Sequence, residues 1–216
     1  LGAGLLIWVT LDPQYLAEAA EGAAKKKGGR PAVPTDFNAF LSIGADGRVT
    51  GFTGKIEMGQ GPITSLAQML ADELDVPLDR VSIVMGDTEL CPYDQGTWGS
   101  LTTRSFGPLW RAAAAEARGV LLELGAEFLK VPVAQLLTRD GLVVDSTNPA
   151  RRVAYGVLTQ GKRVERRLTV KPDLKKPAQF KIVGQPLLRR DSREKVTGEA
   201  RYTGDLRLPG LLYARV

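Results

Sequence analysis

Apolar residues at 63, 66, 67, 70, 71 and 74 keep the i, i+3, i+4, i+7 spacing of an amphipathic helix and predict one over 63–74. Pro62 sits in its first turn, where a missing N–H is tolerated, and Val76-Pro77 ends it. Upstream, 37–43 and 49–53 flank the turn residues Ala45-Asp46-Gly47-Arg48 and predict a β-hairpin. Downstream, 81–85 is a short apolar strand stopped by Gly86-Asp87-Thr88, and 89–103 has no period and reads as loop. A long helix is expected over 108–129, with Ala112 to Ala115 marking close packing and Val131-Pro132 breaking it. A short turn over 134–136, a hairpin over 137–144 around Asp140-Gly141, and a short helix over 151–160 follow. This order predicts an α+β chain, with α/β as the open alternative, in which two main helices pack on a sheet.

The ends read differently. Residues 1–10 form a short apolar run, too short to span a bilayer, which resembles the tail of a signal-peptide apolar region. Its other reading is an ordinary buried strand or helix start. Ala-rich residues, Lys25-Lys26-Lys27-Gly28-Gly29-Arg30 and two prolines follow, which is linker chemistry. Residues 171–181 form a polar, proline-containing connector, and a composition shift near Pro172 marks a boundary. The last block, 196–216, ends as an apolar strand with nothing after it to cap the edge, and so reads as a fragment or as half of a split protein. The expected organisation is 1–35 leader remnant and linker, 36–170 first domain, 171–190 connector and 191–216 the opening of a second domain.

The chain has 216 residues, enough for one large or two small domains, and a net charge of +5. Paired basic residues (Arg151-Arg152, Lys162-Arg163, Arg166-Arg167, Lys175-Lys176, Arg189-Arg190) come without interleaved aromatics, so they read as solvated surface or subunit contact rather than as a nucleic-acid site. There is one cysteine, Cys91, and no histidine. That removes internal disulfides, imidazole-ligated zinc, Ser-His-Asp triads and Cys-His dyads. Any chemistry runs on carboxylates, amides, backbone N–H groups or a cofactor. Cys91, beside Pro92, reads as a small apolar filler.

Two stretches carry candidate chemistry. Glu57-Met58-Gly59-Gln60-Gly61 joins a strand to a helix. Its glycines let a ligand approach the backbone, Gln60 presents a donor and an acceptor, and the helix start offers N–H groups to an anion. Gly96-Thr97-Trp98-Gly99-Ser100 adds N–H and hydroxyl donors. The pair reads as two walls of a site for a phosphate-bearing cofactor. Trp98 and Trp110 read as core residues, Asp87-Thr88 as a capped turn, and Glu57 as a loop-orienting residue, with a salt bridge the favoured role.

Four blocks in register carry a resemblance: Glu57-Met58-Gly59-Gln60-Gly61-x-x-Thr64, Leu66-Ala67-Gln68-Met69-Leu70-Ala71-Asp72-Glu73-Leu74, Val84-Met85-Gly86-Asp87-Thr88 and Gly96-Thr97-Trp98-Gly99-Ser100-x-Thr102-Thr103. They resemble the molybdenum-cofactor subunit of the xanthine oxidase family over about residues 36–216. The block Val196-Thr197-Gly198-Glu199-Ala200-Arg201-Tyr202 resembles the start of that family's a/b hammerhead, here after the cofactor segment, an order similar to the isoquinoline 1-oxidoreductase and membrane-associated aldehyde dehydrogenase type. The resemblance implies a two-layer cofactor-binding domain over 36–170 and a hydroxylase of aldehydes or N-heterocycles using molybdopterin cytosine dinucleotide, with water as oxygen source. It assigns cofactor contact to Gly59, Gln60, Gly61, Thr97, Gly99, Ser100 and Thr102. It implies no catalytic residue and no protein metal ligand in this chain, since the family's glutamate base lies far C-terminal and the pterin dithiolene holds the metal. It further implies the rest of the large subunit, or a second chain completing it, a small iron–sulfur subunit, a cytochrome c among candidate electron acceptors, no nucleic acid, and a periplasmic location behind a twin-arginine-type leader. The alternative is a cofactor-binding or assembly module without turnover of its own.

Overall fold

The computed structural model describes residues 4–11, 38–160, 163–168 and 172–215. The expected tether and Val216 lie outside them. The chain divides into two units, Leu1–Gln185 and Pro186–Val216.

In the first unit a mixed five-stranded sheet runs in the order β4-β3-β2-β1-β8, from β1 (Gly4–Leu11), β2 (Asn38–Gly44), β3 (Val49–Thr53), β4 (Val81–Met85) and β8 (Arg163–Leu168). The β2–β3 hairpin has the expected register, Ile43 opposite Val49. The apolar run near the start is strand β1, antiparallel to β2 and parallel to β8. Parallel strands need a crossover, and α1 (Pro62–Leu74) supplies it between β3 and β4. Helix α2 (Gly107–Leu129) then packs on α1 and reaches β5 (Leu136–Arg139), β6 (Leu142–Asp145) and β7 (Arg152–Ala154), a three-stranded antiparallel sheet.

The core lies between the helices and the sheet face bearing Leu41, Ile43 and Val49. Leu66, Leu70, Leu74, Trp110 and Leu121 are fully buried. Each such side chain contributes about 1.5–3 kcal/mol, more than any exposed ion pair, so packing holds α1 in place against the sheet. Gly51 makes the close approach possible: a Cβ there would lie 2.5 Å from the Trp110 ring and 2.8 Å from Leu70. The Trp110 indole N–H donates to Leu66 O at 3.0 Å and ties the helices together.

Both helices stop in the same way. Asp75 and Lys130 take left-handed φ of 50° and 55°, a Val-Pro pair follows each, and a 3-10 turn leads into β4 or β5. Proline disfavours helix in the residue before it, so one local device is used twice.

Three elements differ from the sequence expectation. The helix expected over 151–160 is strand β7 followed by the short helix α3 (Tyr155–Thr159). Val153 pairs with Val143, and Gly156 lets α3 abut the 44–47 turn, since a Cβ would fall 2.1 Å from Ala45 O. The helical run containing α2 also starts earlier than expected, through a π turn at Thr102–Phe106. That wider turn relieves the clash Pro108 would otherwise make with the carbonyl four residues back.

The third difference lies in the second unit. There α4 (Ser192–Thr197) is the helix, and the described residues 186–215 contain no strand. Residues 211–215, expected as a strand, have no ladder partner, and an unpartnered strand has no hydrogen bonds to hold it. Hydrogen bonds from Arg189 and Lys195 hold the Asp191 carboxyl well below the usual range.

Candidate functional site

The two glycine loops sit at the N-terminal end of α1, and they are stitched together. The first loop, 54–61, leaves β3; the second, 86–101, follows β4, the parallel neighbour of β3. Strand pairing alone therefore brings their roots side by side. Ile56 N–H donates to Thr97 Oγ1 at 2.9 Å. Lys55 Nζ donates to Asp94 Oδ1 and to Gly96 O, both at 2.8 Å. Gly54 permits the contact, because a Cβ there would lie 2.4 Å from Asp94 Cβ. The convergence expected from sequence is what the chain builds.

Within the first loop Gly59 and Gly61 have φ of 103° and 91°, the left-handed region glycine occupies without penalty. Glu57 fastens this conformation. Its carboxylate accepts Gly59 N–H at 2.8 Å, Gly61 N–H at 2.9 Å and Ile63 N–H at 3.2 Å. The expectation that the helix start faces a ligand anion is thereby corrected: this chain's own carboxylate receives N–H groups there. These bonds go to backbone amides, the loop-orienting role that the sequence also suggested for Glu57.

Gln60 is exposed and folded back on its loop. Its Oε1 accepts Met58 N–H at 2.6 Å and its Nε2 donates to Ile56 O at 2.9 Å. A glutamine amide has two N–H groups and two carbonyl lone pairs, so this geometry leaves it capacity for a ligand.

In the second loop Gly96, Gly99 and Ser100 have φ of 132°, 63° and 56°. Ser100 is the one non-glycine there held left-handed, and it is exposed. Gly99 is exposed and Thr97 half-buried, but Thr102 is buried at 8 % exposure, with its carbonyl closing the π turn onto Gly107 N–H. Six of the seven expected residues are thus at least partly exposed, and Thr102 supports the loop from beneath. Trp98, expected in the core, is 50 % exposed, whereas Trp110 is fully buried. Asp87 caps its turn as expected, accepting the N–H groups of Glu89 and Leu90 at 2.9 and 2.8 Å. Cys91 is half-buried and donates to Val84 O at 3.4 Å.

Sequence reasoning missed Lys55, Asp94 and Gly54. The signal was the run Thr53-Gly54-Lys55 at the end of a strand: a lysine placed to be buried needs a carboxylate, and Asp94 precedes the second glycine block.

At the other end of α1 lies a pocket of about 220 Å³ lined by Asp75, Arg118, Thr138 and Lys175, among others. Its charges already serve each other. Lys175 meets Asp75 at 2.6 Å, Thr138 donates to Asp75 at 2.6 Å, and Arg118 meets Glu73 at 3.2 Å. Among the described residues no buried side-chain polar atom lacks a partner. The charges of Asp75, Arg118 and Lys175 are thus matched within the protein, and the glycine loops, with exposed amides and hydroxyls, are the candidate site.

A family model described as a molybdopterin cofactor-binding domain matches residues 19–200. A nicotinate dehydrogenase subunit of Pseudomonas putida is 37% identical over 191 residues, 88% of this chain and 16% of that protein. The beta subunit of isoquinoline 1-oxidoreductase of Brevundimonas diminuta is 29% identical over 218 residues, 83% of this chain and 28% of that protein. Reconstituted CO dehydrogenase from Oligotropha carboxidovorans superposes with a TM-score of 0.51 at 29% identity, over 56% of this chain and 15% of that one. The chain spans 16% and 28% of the length of the two curated relatives.

Proposed function

The chain belongs to the molybdopterin cofactor-binding domain family, and we propose that its two stitched glycine loops hold the pyrophosphate-bearing part of molybdopterin cytosine dinucleotide in the large subunit of a molybdenum hydroxylase. The whole enzyme oxidises an aldehyde or an N-heterocycle with water as oxygen source, and its electrons leave through iron–sulfur clusters on a small partner subunit, with a cytochrome c as a candidate acceptor. It works in the periplasm or on the periplasmic face of the inner membrane. The remaining machinery lies elsewhere in the large subunit, or on a second chain that completes it.

The observation that carries this reading is the pair of bonds from Ile56 and Lys55 into the second loop, which makes two distant glycine motifs one surface. The donor set fits an anionic group. Residues 95–104 contain no carboxylate but offer Thr97, Ser100, Thr103, Arg104 and the amides of a glycine-bearing turn. Of the acids in the two loops, Glu57, Asp87 and Asp94 are bonded within them and Glu89 is exposed.

When bound, the group supplies the metal and the redox chemistry. The protein's part is to bind and orient it. Gln60 gives its spare N–H and lone pair from a loop held by Glu57. Gly59 and Gly61 leave the backbone open to close approach. Gly99 and Ser100 turn their amides through left-handed backbone, a nest-like arrangement suited to phosphate oxygens.

The test is elemental and nucleotide analysis of the purified natural complex, which should give molybdenum and released cytidine monophosphate in equal amounts. Gln60→Ala should lower both together. Molybdenum content unchanged by that substitution counts against the assignment.

A further inference from the structure

We propose that Lys55 and Asp94 are positioning residues for the cofactor: a buried staple that sets the separation and facing of the two glycine loops. The inference rests on the functional reading above and adds to it residues that touch no ligand.

Several observations point this way. The Lys55 and Asp94 side chains are 6% and 5% exposed, although both belong to loops whose tips are in solvent. The ion pair, at 2.8 Å, is only part of the arrangement. Lys55 Nζ also donates to Gly96 O at 2.8 Å, and Asp94 Oδ1 accepts Gly96 N–H at 2.8 Å. Both polar groups of the Gly96 backbone are thus held from one side by one charge of each sign. Gly96 has φ of 132° and opens the turn that presents Gly99 and Ser100. Beneath it, the Lys55 ammonium stands 5.7 Å from the centre of the Phe106 ring, the last residue of the π turn, and that ring packs at 5.4 Å on Trp110. A contiguous set of contacts therefore runs from the helix core to the loop that carries the candidate donors.

Stability alone does not account for the pair. Desolvating two charges costs roughly what their attraction returns, and apolar residues of similar volume commonly serve as well or better. What apolar residues cannot do is grip both the N–H and the C=O of Gly96. The device supplies direction to the second loop, and Gly54 keeps the first loop close enough for Lys55 to reach, since a Cβ there would also fall 2.7 Å from Pro92 O.

The experiment uses the purified complex carrying Lys55→Met/Asp94→Leu, with Asp94→Asn as a second variant. Molybdenum and cytidine monophosphate per chain, the rate of cofactor release, the thermal midpoint and amide exchange at 96–100 are measured on each. Partners that only orient metal-ligating residues are worth about 10–100-fold in affinity, and the same scale is expected of a pair that orients a binding loop. The expected result is release at least about tenfold faster, with faster exchange at 96–100 and a thermal midpoint close to the parent's. The proposal is overturned if the double variant stays loaded and releases cofactor at the parental rate. It is equally overturned if cofactor is lost only in step with a fall in the midpoint, which assigns the pair to folding. A parent complex without molybdenum and cytidine monophosphate overturns the functional reading itself, and the staple with it.

Discussion

The two ends of helix α1 are both organised by carboxylates, and they use them in opposite ways. At the C-terminal end Asp72 and Glu73 are buried, at 3 % and 0 % exposure. Asp72 accepts the backbone N–H groups of Lys181, Ile182 and Val183, and Glu73 accepts Arg111, Arg118 and Lys175 N–H. A return segment about 100 residues later is clasped to the helix by these bonds. At the N-terminal end Glu57 is half-buried and accepts amides of its own loop and helix start. The first arrangement is long-range and sealed, so losing it exposes buried charge. The second is short-range and open, so it shapes a surface. The difference separates the residues that make the fold from those that tune the site.

Glu73→Ala should show the largest effect. It leaves Arg111 and Arg118 partly buried without their carboxylate, and breaking a buried pair costs about 3–5 kcal/mol. Denaturant titration of the folded chain should find that loss, with cofactor content per folded chain little changed. A loss under about 1 kcal/mol, the range of an exposed pair, would erase the contrast between the ends. Glu57→Ala comes next. It removes a capping acceptor, for which about 1 kcal/mol is expected, and hydrogen exchange at 59, 61 and 63 should quicken. If those amides keep their protection, Glu57 does not hold the loop.

Asp145 is an intermediate case, a turn carboxylate whose carboxyl is held below the usual range, first by the Thr147 hydroxyl and backbone N–H and, further down, by Arg151. A depressed folded value means the contribution is present above the unfolded value and lost as pH falls through the folded one. The stability advantage of the parent over Asp145→Asn should be full at pH 7 and shrink below about pH 4. An advantage that stays constant down to about pH 2 contradicts it. Gln60→Ala should be smallest in stability, within about 0.5 kcal/mol, because the side chain is exposed. Its effect belongs in cofactor content. A destabilisation as large as that of Glu73→Ala would make the N-terminal end structural too.

Much of this was legible in the chain. The 62–74 helix and the 81–85 strand came through because period and proline placement agree there, and those two elements plant the glycine loops. The sheet order was not, since β1 and β8 carry no local sign of pairing with each other. Pro108 reads as a helix start, which hid the π turn before it. Arg151-Arg152-Val153-Ala154 has no alternation long enough to betray a strand. The 172–183 segment looks like a connector because much of its contribution lies in backbone N–H and C=O groups, which carry no sequence signature. Among the candidate residues, the left-handed backbone of Gly59 and Gly61 was legible from glycine chemistry. Thr102 stands apart from the other six because its burial depends on a turn type the sequence does not announce. Lys55 was passed over because lysine is ordinarily a surface residue. The family resemblance drawn from the four blocks agrees with the matched family model.

Of the chain's three tryptophans, the loop residue and the core residue form a contrasting pair of lamps. Trp110 sits in an apolar niche against Phe106 with its indole N–H already bonded, so its emission is blue-shifted and indifferent to what docks above. Trp98, half in water and two residues past the Gly96 carbonyl that Lys55 holds, emits further to the red and, on the proposed reading, stands where a bound cofactor would quench it. With the third tryptophan, Trp8, replaced by Phe, loading on the proposed reading and unfolding can be followed separately, by colour, in a single cuvette without any attached dye.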